Sequence, residues 1–230
     1  MGCDIHIYVE RRDPDSGAWV AIDGPNLMYP VYEQWIKEGR AEKIPSYARE
    51  RSYGGWLYEG RSYTLFAILA DVRNYDNLVP MSAPRGLPKD LSPRVRGIAQ
   101  EFGNDGHSHS WYNFRELKDY FVTSTQMIRV GGLISLEEYQ TLKENGALPS
   151  HSCRGAYGPN VKTIDEEGAD ALLSGAAPMD PNIQYFVDAS WPVSIAEACK
   201  GFVTGITERL APIAEEVGEE NVRIVFWFDN

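Results

Sequence analysis

The alternation of hydrophobic and polar positions predicts a β-strand at each end of the chain. Ile5, Ile7 and Val9 alternate with polar residues, the period-two pattern of a strand that buries one face. Turn-forming residues at positions 13–17 separate this segment from a second short apolar run, so we predict a hairpin there. Residues 222–229 are apolar on nearly both faces, which is typical of a strand in the middle of a sheet.

Helical spacing and capping residues predict helices between these strands. Ser62 precedes a run of apolar residues at helical spacing that extends from Tyr63 to Val72. Ser92-Pro93 places a capping serine and a proline before a second helix from Arg94 to Phe102. The spacing of aromatic and apolar residues predicts a third helix from Trp111 to Phe121.

Residues 126–182 resemble a small helical insertion. Ser135 and Glu138 have the spacing of a capping box, and so do Thr163 and Glu166. Each pair is expected to open a helix.

The remaining segments complete the fold prediction. Residues 183–187 are strand-like, and a long helix from 194 to 217 follows, with a kink at Pro212. We therefore predict an α+β fold. In this fold, a mixed or antiparallel sheet contains the N- and C-terminal strands and packs with helices, in one domain over residues 1–230 that carries the insertion.

The charge balance limits the class of partner. The formal net charge is −11, and the 22 basic residues are scattered rather than gathered in a stripe. Such a chain repels a polyphosphate backbone, so we expect no duplex nucleic acid as partner. A small anionic or nucleotide-like ligand remains compatible with this charge, because short-range contacts outweigh a screened global field.

Cysteine usage and hydropathy indicate the compartment. The three cysteines, Cys3, Cys153 and Cys199, are odd in number and lack Cys-x-x-Cys spacing, which fits a reducing cytoplasm. The opening residues lack the basic and apolar regions of a signal peptide, and no window reaches the length of a membrane span. We therefore expect a cytoplasmic protein without membrane contact. Its aromatic content is compatible with a homo-oligomer.

Asp4 and His6 form the first candidate site. On a strand, residues two apart share a face and lie about 7 Å apart along the chain. This geometry suits two ligands of one metal ion, or a carboxylate that orients a general base. The alternative is the polar face of an edge strand.

The tetrapeptide His107-Ser108-His109-Ser110 contains two of the four histidines in the chain. An extended His-x-His segment presents both rings to one side, as ligands of a divalent ion or as a general acid and base on a phosphodiester. The alternative is a loop whose serines cap the next helix.

Two further groups of residues are candidates for ligand binding. Arg73 and Asn74 follow the end of a buried helix together with Asp71, and a guanidinium there can grip a phosphate or carboxylate. The alternative is a helix-end cation that pairs with Asp71. Arg85 and Lys89 lie in a Pro-rich loop that can close over an anion or serve as a simple connector.

Trp111 can stack on a base or belong to the core. The phosphate-binding patterns Gly-x-x-x-x-Gly-Lys and Gly-x-Gly-x-x-Gly are both missing from the sequence, so the standard nucleotide-binding folds lack support.

Several words of the sequence resemble a family of mostly uncharacterised proteins of tailed bacteriophages and bacteria. They are Met1-Gly2-Cys3-Asp4-Ile5-His6, Leu65-Phe66-Ala67-Ile68-Leu69-Ala70-Asp71-Val72-Arg73-Asn74, Gly86-Leu87-Pro88, His107-Ser108-His109-Ser110-Trp111 and Phe226-Trp227-Phe228-Asp229-Asn230. The resemblance covers both ends and the middle of the chain and leaves the insertion unmatched. It implies a phage origin and, with it, the cytoplasm of a bacterial host. It transfers no catalytic role. An analogy with phage proteins that sequester or cleave nucleotide immune signals points to a counter-defence function.

Three functional hypotheses follow. The first is a phosphodiesterase-like hydrolase of a small phosphorylated or nucleotide-like substrate, with His6, His107 and His109 as catalytic residues. Its ligand-binding residues would be Arg73, Asn74, Arg85, Lys89 and Trp111, and a divalent metal, if used, would be held by Asp4, His6, Asp71, His107 and His109. The second is a protein that sequesters a nucleotide signalling molecule without turnover. The third is a phage structural or interaction protein.

Overall fold

The structure is a computed structural model that describes residues 2–25, 29–43, 52–53, 56–58 and 60–229. Met1 and Asn230, the outermost residues of the family-like words, lie outside these ranges. The chain divides into two units, one formed by Met1–Gln126 with Ile195–Asn230 and the other by Met127–Ser194. Both units combine helices with a sheet, so the predicted α+β class is confirmed. No helix among the described residues is both long and apolar enough to cross a bilayer.

The elements are numbered in chain order. The strands are β1 (Asp4–Arg12), β2 (Trp19–Ile22), β3 (Gly24–Pro25), β4 (Ser52–Tyr53), β5 (His107–Asn113), β6 (Met127–Ser135), β7 (Val161–Asp165), β8 (Gln184–Ser194) and β9 (Val222–Asp229). The helices are α1 (Tyr29–Lys37), α2 (Tyr63–Ala70), α3 (Pro93–Phe102), α4 (Phe114–Thr123), α5 (Leu136–Asn145), α6 (Glu166–Leu173), α7 (Ile195–Ala198), α8 (Lys200–Gly205) and α9 (Ala211–Val217).

The main sheet of the first unit joins the two ends of the chain. Its strand order is β2-β1-β9-β5, and each neighbouring pair is antiparallel. The predicted hairpin of β1 and β2 and the central position of β9 are both confirmed. The β9 strand is apolar on both faces because helices cover both sides of it. Phe66 of α2 packs on Phe228, and Val95 of α3 belongs to the apolar cluster of Val225 and Trp227.

Local capping explains where the two covering helices begin. The Ser62 side chain accepts a hydrogen bond from the Leu65 amide, and the Ser92 side chain accepts one from the Val95 amide, as the sequence predicts. The α2 helix ends at Asp71, which adopts a left-handed conformation with φ of 59°.

The helix predicted from Trp111 to Phe121 is partly wrong, because its first residues form strand β5. The Asn113 side chain accepts a hydrogen bond from the Glu116 amide, and the Glu116 carboxylate accepts one from the Asn113 amide. This capping box starts α4 at Phe114. Trp111 and Tyr112 consequently lie on opposite faces of the sheet, where both contact apolar residues.

The second unit contains more strand than its sequence pattern reveals. It holds a three-stranded sheet of order β6-β8-β7, with helices α5 and α6, and it extends beyond the predicted insertion to Ser194. Ser135 caps α5 as predicted, but Thr163 lies within β7, and Asp165 instead accepts the capping hydrogen bond from Gly168. Aspartate caps a helix at least as well as threonine does. The spacing of Thr163 and Glu166 therefore placed the start of this helix too early in the chain.

The long helix predicted at 194–217 is present but interrupted. It consists of α7, α8, a π-helical turn at Ile206–Leu210, and α9, in which Pro212 occupies the first turn. Proline is tolerated there because its missing amide would have no partner.

Candidate active site at one end of the main sheet

The ends of three strands bring the candidate residues together. Because β1 and β5 both run antiparallel to β9, both begin at the end of the sheet where β9 finishes. We call this end of the strands the histidine end. Its polar and aromatic residues are Asp4, His6, His107, His109, Trp227 and Asp229. Asp4 and Asp229 are register partners, as expected if the two terminal strands are neighbours.

The side chains of His6 and Asp229 lie side by side at this end. His6 Nε2 lies 3.1 Å from Asp229 Oδ2, and the two side chains are 27% and 32% exposed. The approach lacks hydrogen-bond alignment, so Nε2 is buried without a hydrogen-bond partner. The His6 ring packs on Phe102 with 4.4 Å between ring centroids. Asp229 therefore lies within ion-pairing distance of His6 Nε2, and a carboxylate so close to an imidazole can orient it.

His109 lies on the other side of Trp227 from His6. Its ring centroid is 5.6 Å from that of Trp227, and the His6 ring centroid is 6.4 Å from it. Burial, and then the charge of His107, lower the pKa of His109. His109 is therefore a neutral imidazole at pH 7, which is the form that a general base requires.

Gly106 allows the close packing around His109. A Cβ atom on Gly106 would lie 3.2 Å from Phe102 Cβ and 3.4 Å from both His109 Nε2 and Trp227 Cδ1. Only a residue without a side chain fits there without displacing these neighbours. The position of the His109 imidazole thus depends on a glycine three residues earlier.

The prediction that His107 and His109 present their rings to one side is wrong. Ser108 has a φ of 53°, and the register of β5 on β9 shifts between His107 and Ser110. The His107 ring consequently stacks on Phe228, whereas His109 packs on Trp227, and adjacent residues of β9 face opposite sides of the sheet. His107 Nδ1 is 3.0 Å from Ser108 Oγ.

Buried polar atoms without partners are concentrated at the histidine end. Among the described residues, three buried side-chain atoms have no hydrogen-bond partner: His6 Nε2, His107 Nε2 and Trp227 Nε1. All three belong to this end, one on each of β1, β5 and β9. Leaving such an atom unpaired costs about 1–3 kcal/mol, so a fold keeps it where a function requires it.

Cationic side chains flank the same end of the sheet. Arg61 donates two hydrogen bonds to Asp4, at 2.8 and 2.7 Å, and both side chains are about half exposed. Arg73 lies against Cys3 and donates to the Tyr75 hydroxyl at 3.4 Å. Burial raises the pKa of the Cys3 thiol, although Arg73 opposes the shift. Cys3 is therefore a thiol at neutral pH and a poor nucleophile.

The loop that carries Arg73 has an unusual backbone. Asp71, Arg73 and Asn77 have φ between 52° and 59°, and Ser108 is the fourth described non-glycine residue with positive φ. Left-handed residues of this kind cluster at functional sites. Asn74 has a structural role. Its side-chain nitrogen donates to the Asp71 carboxylate and to the Leu78 carbonyl, and its side-chain oxygen accepts from the Leu78 amide.

The predicted metal ligands are not gathered into one site. In the part of the chain that the structure describes, no group of three or more His, Cys, Asp or Glu side chains has the arrangement of a metal site. Asp71 binds Asn74 at the end of α2, and His107 and His109 lie on opposite faces of the sheet.

The remaining predicted ligand-binding residues, Arg85, Lys89 and Trp111, lie elsewhere. They line a cleft of about 600 Å³ near the opposite end of the same sheet. They share it with five residues that sequence reasoning missed: Arg12, Trp19, Asn113, Glu220 and Arg223. Arg223 carries a usable signal, because it is a lone charge in a strand that is otherwise apolar on both faces.

Other residues of the histidine end also escaped sequence reasoning. Arg61 lies in a loop without any pattern, and Phe102 and Gly106 read only as the end of a helix. Their roles depend on contacts between distant segments, which periodicity does not reveal.

Comparison with known proteins leaves the geometry as the basis for function. The chain matches no protein-family model, no curated protein and no solved structure.

Proposed function

We propose that this protein is a hydrolase that cleaves a phosphoester bond in a small, nucleotide-like substrate by acid–base catalysis at the histidine end. One observation carries the proposal: among the described residues, two of the three buried polar atoms without partners, His6 Nε2 and Trp227 Nε1, lie on the face of the sheet that His6 and His109 share. Strained and unsatisfied groups that the fold does not need are typical of catalytic sites.

His109 and His6 each carry out one of the two proton transfers. Neutral His109 accepts a proton from a water molecule as its oxygen attacks phosphorus. His6, beside Asp229, donates a proton to the leaving oxygen as the P–O bond breaks. The two residues occupy strands on either side of β9, so their Cα atoms are about 10 Å apart, with the Trp227 indole between the two rings. A phosphoryl group that contacts both imidazoles would lie over this indole.

The flanking arginines suit an anionic substrate. Arg61 lies against Asp4 and Arg73 against Cys3, both at the start of β1, and a guanidinium makes bidentate contacts with phosphate oxygens. Arg61 donates to both carboxylate oxygens of Asp4. It can exchange one of these hydrogen bonds for a bond to a phosphate oxygen. The net charge of −11 favours a small substrate over a polyphosphate chain.

Turnover measurements test the proposal. The wild-type protein, purified without a histidine tag, is incubated with bis-p-nitrophenyl phosphate, cyclic mononucleotides, cyclic dinucleotides and linear dinucleotides, with and without EDTA. We expect turnover of at least one phosphodiester, which EDTA leaves unchanged because the proposed steps use only side chains.

Histidine variants locate the reaction. We expect His6→Asn and His109→Asn to lower kcat by about 100- to 10,000-fold, the usual contribution of a positioned acid or base. His107→Asn should have a smaller effect, because that ring lies on the opposite face. His151→Asn is the matched control, since it makes the same change on an exposed histidine of the other unit. Equal activity in all four variants, or tight binding without turnover, would overturn the hydrolase assignment.

A further inference from the structure

The cleft at the opposite end of the sheet is a second site, separate from the histidine end. It opens on the same face of the sheet as His109, but an apolar cluster of α3 and β9 residues lies between the two. Leu91, Val95, Ala99 and Val225 form this cluster together with Trp227. A molecule in the cleft therefore does not reach the imidazoles, and any role of the cleft is independent of the proposed hydrolase.

The floor of the cleft is rigid because its charges are fully paired. The buried Arg223 guanidinium donates to Glu10 and to Asp90, each at 2.8 Å. Its Cζ atom lies 3.9 Å from the centroid of the Trp19 ring, and the Trp19 indole N–H donates to Asp90 at 2.9 Å. Side chains locked in this way present a preformed surface, which lowers the entropy that a ligand must give up on binding.

The rim of the cleft carries cations of a different kind. Arg85 is held by Glu116 through contacts of 2.8 and 3.1 Å. Arg12 and Lys89, in contrast, form no ion pair with any described carboxylate. Arg12 donates a long hydrogen bond of 3.4 Å to the Gly17 carbonyl, and its Cζ atom lies 4.9 Å from the centroid of the Trp19 ring. These two side chains are therefore available to an anionic group from outside.

One wall of the cleft is flat and apolar. Trp111 is only partly buried, and Leu87 and Pro88 lie beside it in the lining. The Arg85 guanidinium lies 5.2 Å from the Trp111 ring centroid. A partly exposed indole beside cationic side chains suits a planar ring that is attached to an anionic group.

We propose that this cleft binds a mononucleotide-sized molecule, with its anionic group on Arg12 and Lys89 and its planar ring against Trp111. The volume of about 600 Å³ lies within the range of small-molecule sites. Arg12 and Lys89 give the rim two cations without an ion-pair partner among the described residues, in a chain whose net charge is −11.

Calorimetric titration tests this site with defined probes. AMP, GMP, CMP and UMP are each titrated into the His6→Asn/His109→Asn double variant, in which any binding is separated from turnover. Adenosine and ribose 5-phosphate report the ring and the anion alone. We expect at least one mononucleotide to bind at least tenfold more tightly than either fragment, because both parts of the cleft are then used.

Variants of the rim assign the binding to the cleft. Arg12→Gln/Lys89→Gln should weaken mononucleotide binding by about tenfold or more, because each charge-assisted contact contributes that order of affinity. Trp111→Phe, which keeps a smaller planar ring, should weaken it less. Lys162→Gln removes an exposed charge in the other unit and should change nothing. Failure of every mononucleotide to bind at millimolar concentration, or binding that survives the rim variant, overturns the proposal without bearing on the hydrolase.

Discussion

The two ends of the main sheet treat their polar residues in opposite ways. Near the cleft, Glu10 and Arg223 are buried and hydrogen-bonded to each other. Glu10 accepts hydrogen bonds from Arg223 and from the Ser92 amide. At the histidine end, His6 and His107 each keep a buried ring nitrogen without a hydrogen-bond partner. The same strands, β1 and β9, contribute to both arrangements.

This difference separates polar groups that hold the fold from polar groups that are kept for a ligand. A buried charge is tolerated where a partner of opposite charge compensates for its lost hydration. An unsatisfied nitrogen lowers stability and is retained only if it has another use. The comparison therefore predicts that substitutions near the cleft lower stability more than activity. Substitutions at the histidine end should lower activity more than stability.

The largest expected effect is the loss of stability on removing one member of the buried pair. Glu10→Ala leaves Arg223 without its fully buried carboxylate partner, in a site that is almost closed to water. We expect the free energy of unfolding in urea to fall by about 3–5 kcal/mol.

The exposed pair of Arg94 and Asp23 is the control for this change. Its side chains are 52% and 30% exposed, so Asp23→Asn should change stability by less than about 1 kcal/mol. If the two substitutions have equal effects, the buried pair does not hold the cleft end together.

Gly106→Ala should have an intermediate effect that reaches the histidine end. The added Cβ presses on Phe102 and on His109 Nε2, so we expect a loss of about 1–3 kcal/mol in stability together with reduced turnover. Gly97→Ala is the matched control, because nothing lies within 4 Å of its Cβ position in α3. It should raise stability by about 0.5–1 kcal/mol and leave turnover unchanged. Equal effects at both glycines would contradict the packing around His109.

The smallest expected effect is a pH dependence that belongs to His109. Burial lowers the pKa of this imidazole below its ordinary value of 6.5, so below pH 6.5 the unfolded chain binds a proton that the folded chain does not. Stability should therefore fall as the pH drops from 6.5 towards the lowered pKa. The acidic limb of kcat/KM should also lie below pH 6.5. Urea unfolding and turnover at several pH values check both, and His109→Asn should lose this part of the pH dependence.

Much of the fold follows from local patterns. The alternation in Ile5, Ile7 and Val9, the serine caps of α2 and α3, and the apolar strand β9 each determine an element without help from distant residues. Strand β5 was misread because Trp111 and Phe114 are three residues apart, as in a helix. The capping box at Asn113, which is equally local, shows where the helix begins.

The candidate site is predictable only in part. His6, His109 and Asp4 stand out because histidines are few and lie near acids or each other in the sequence. The opposite orientations of His107 and His109 depend on the left-handed backbone of Ser108. A serine rarely adopts this conformation, and no sequence pattern predicts it. The contacts of Trp227, Phe102 and Arg61 arise from strand pairing and helix packing over the whole chain.

The most direct test of the account is to measure stability and turnover of His6→Phe on one preparation. Phenylalanine keeps the ring contact with Phe102 and removes an enclosed nitrogen that has no aligned partner. The account predicts an unfolding free energy equal to or above that of the wild type, with turnover lowered at least 100-fold. Turnover within a few-fold of wild type, or a loss of turnover that merely follows a loss of stability, would show that the histidine end serves the fold and not the reaction.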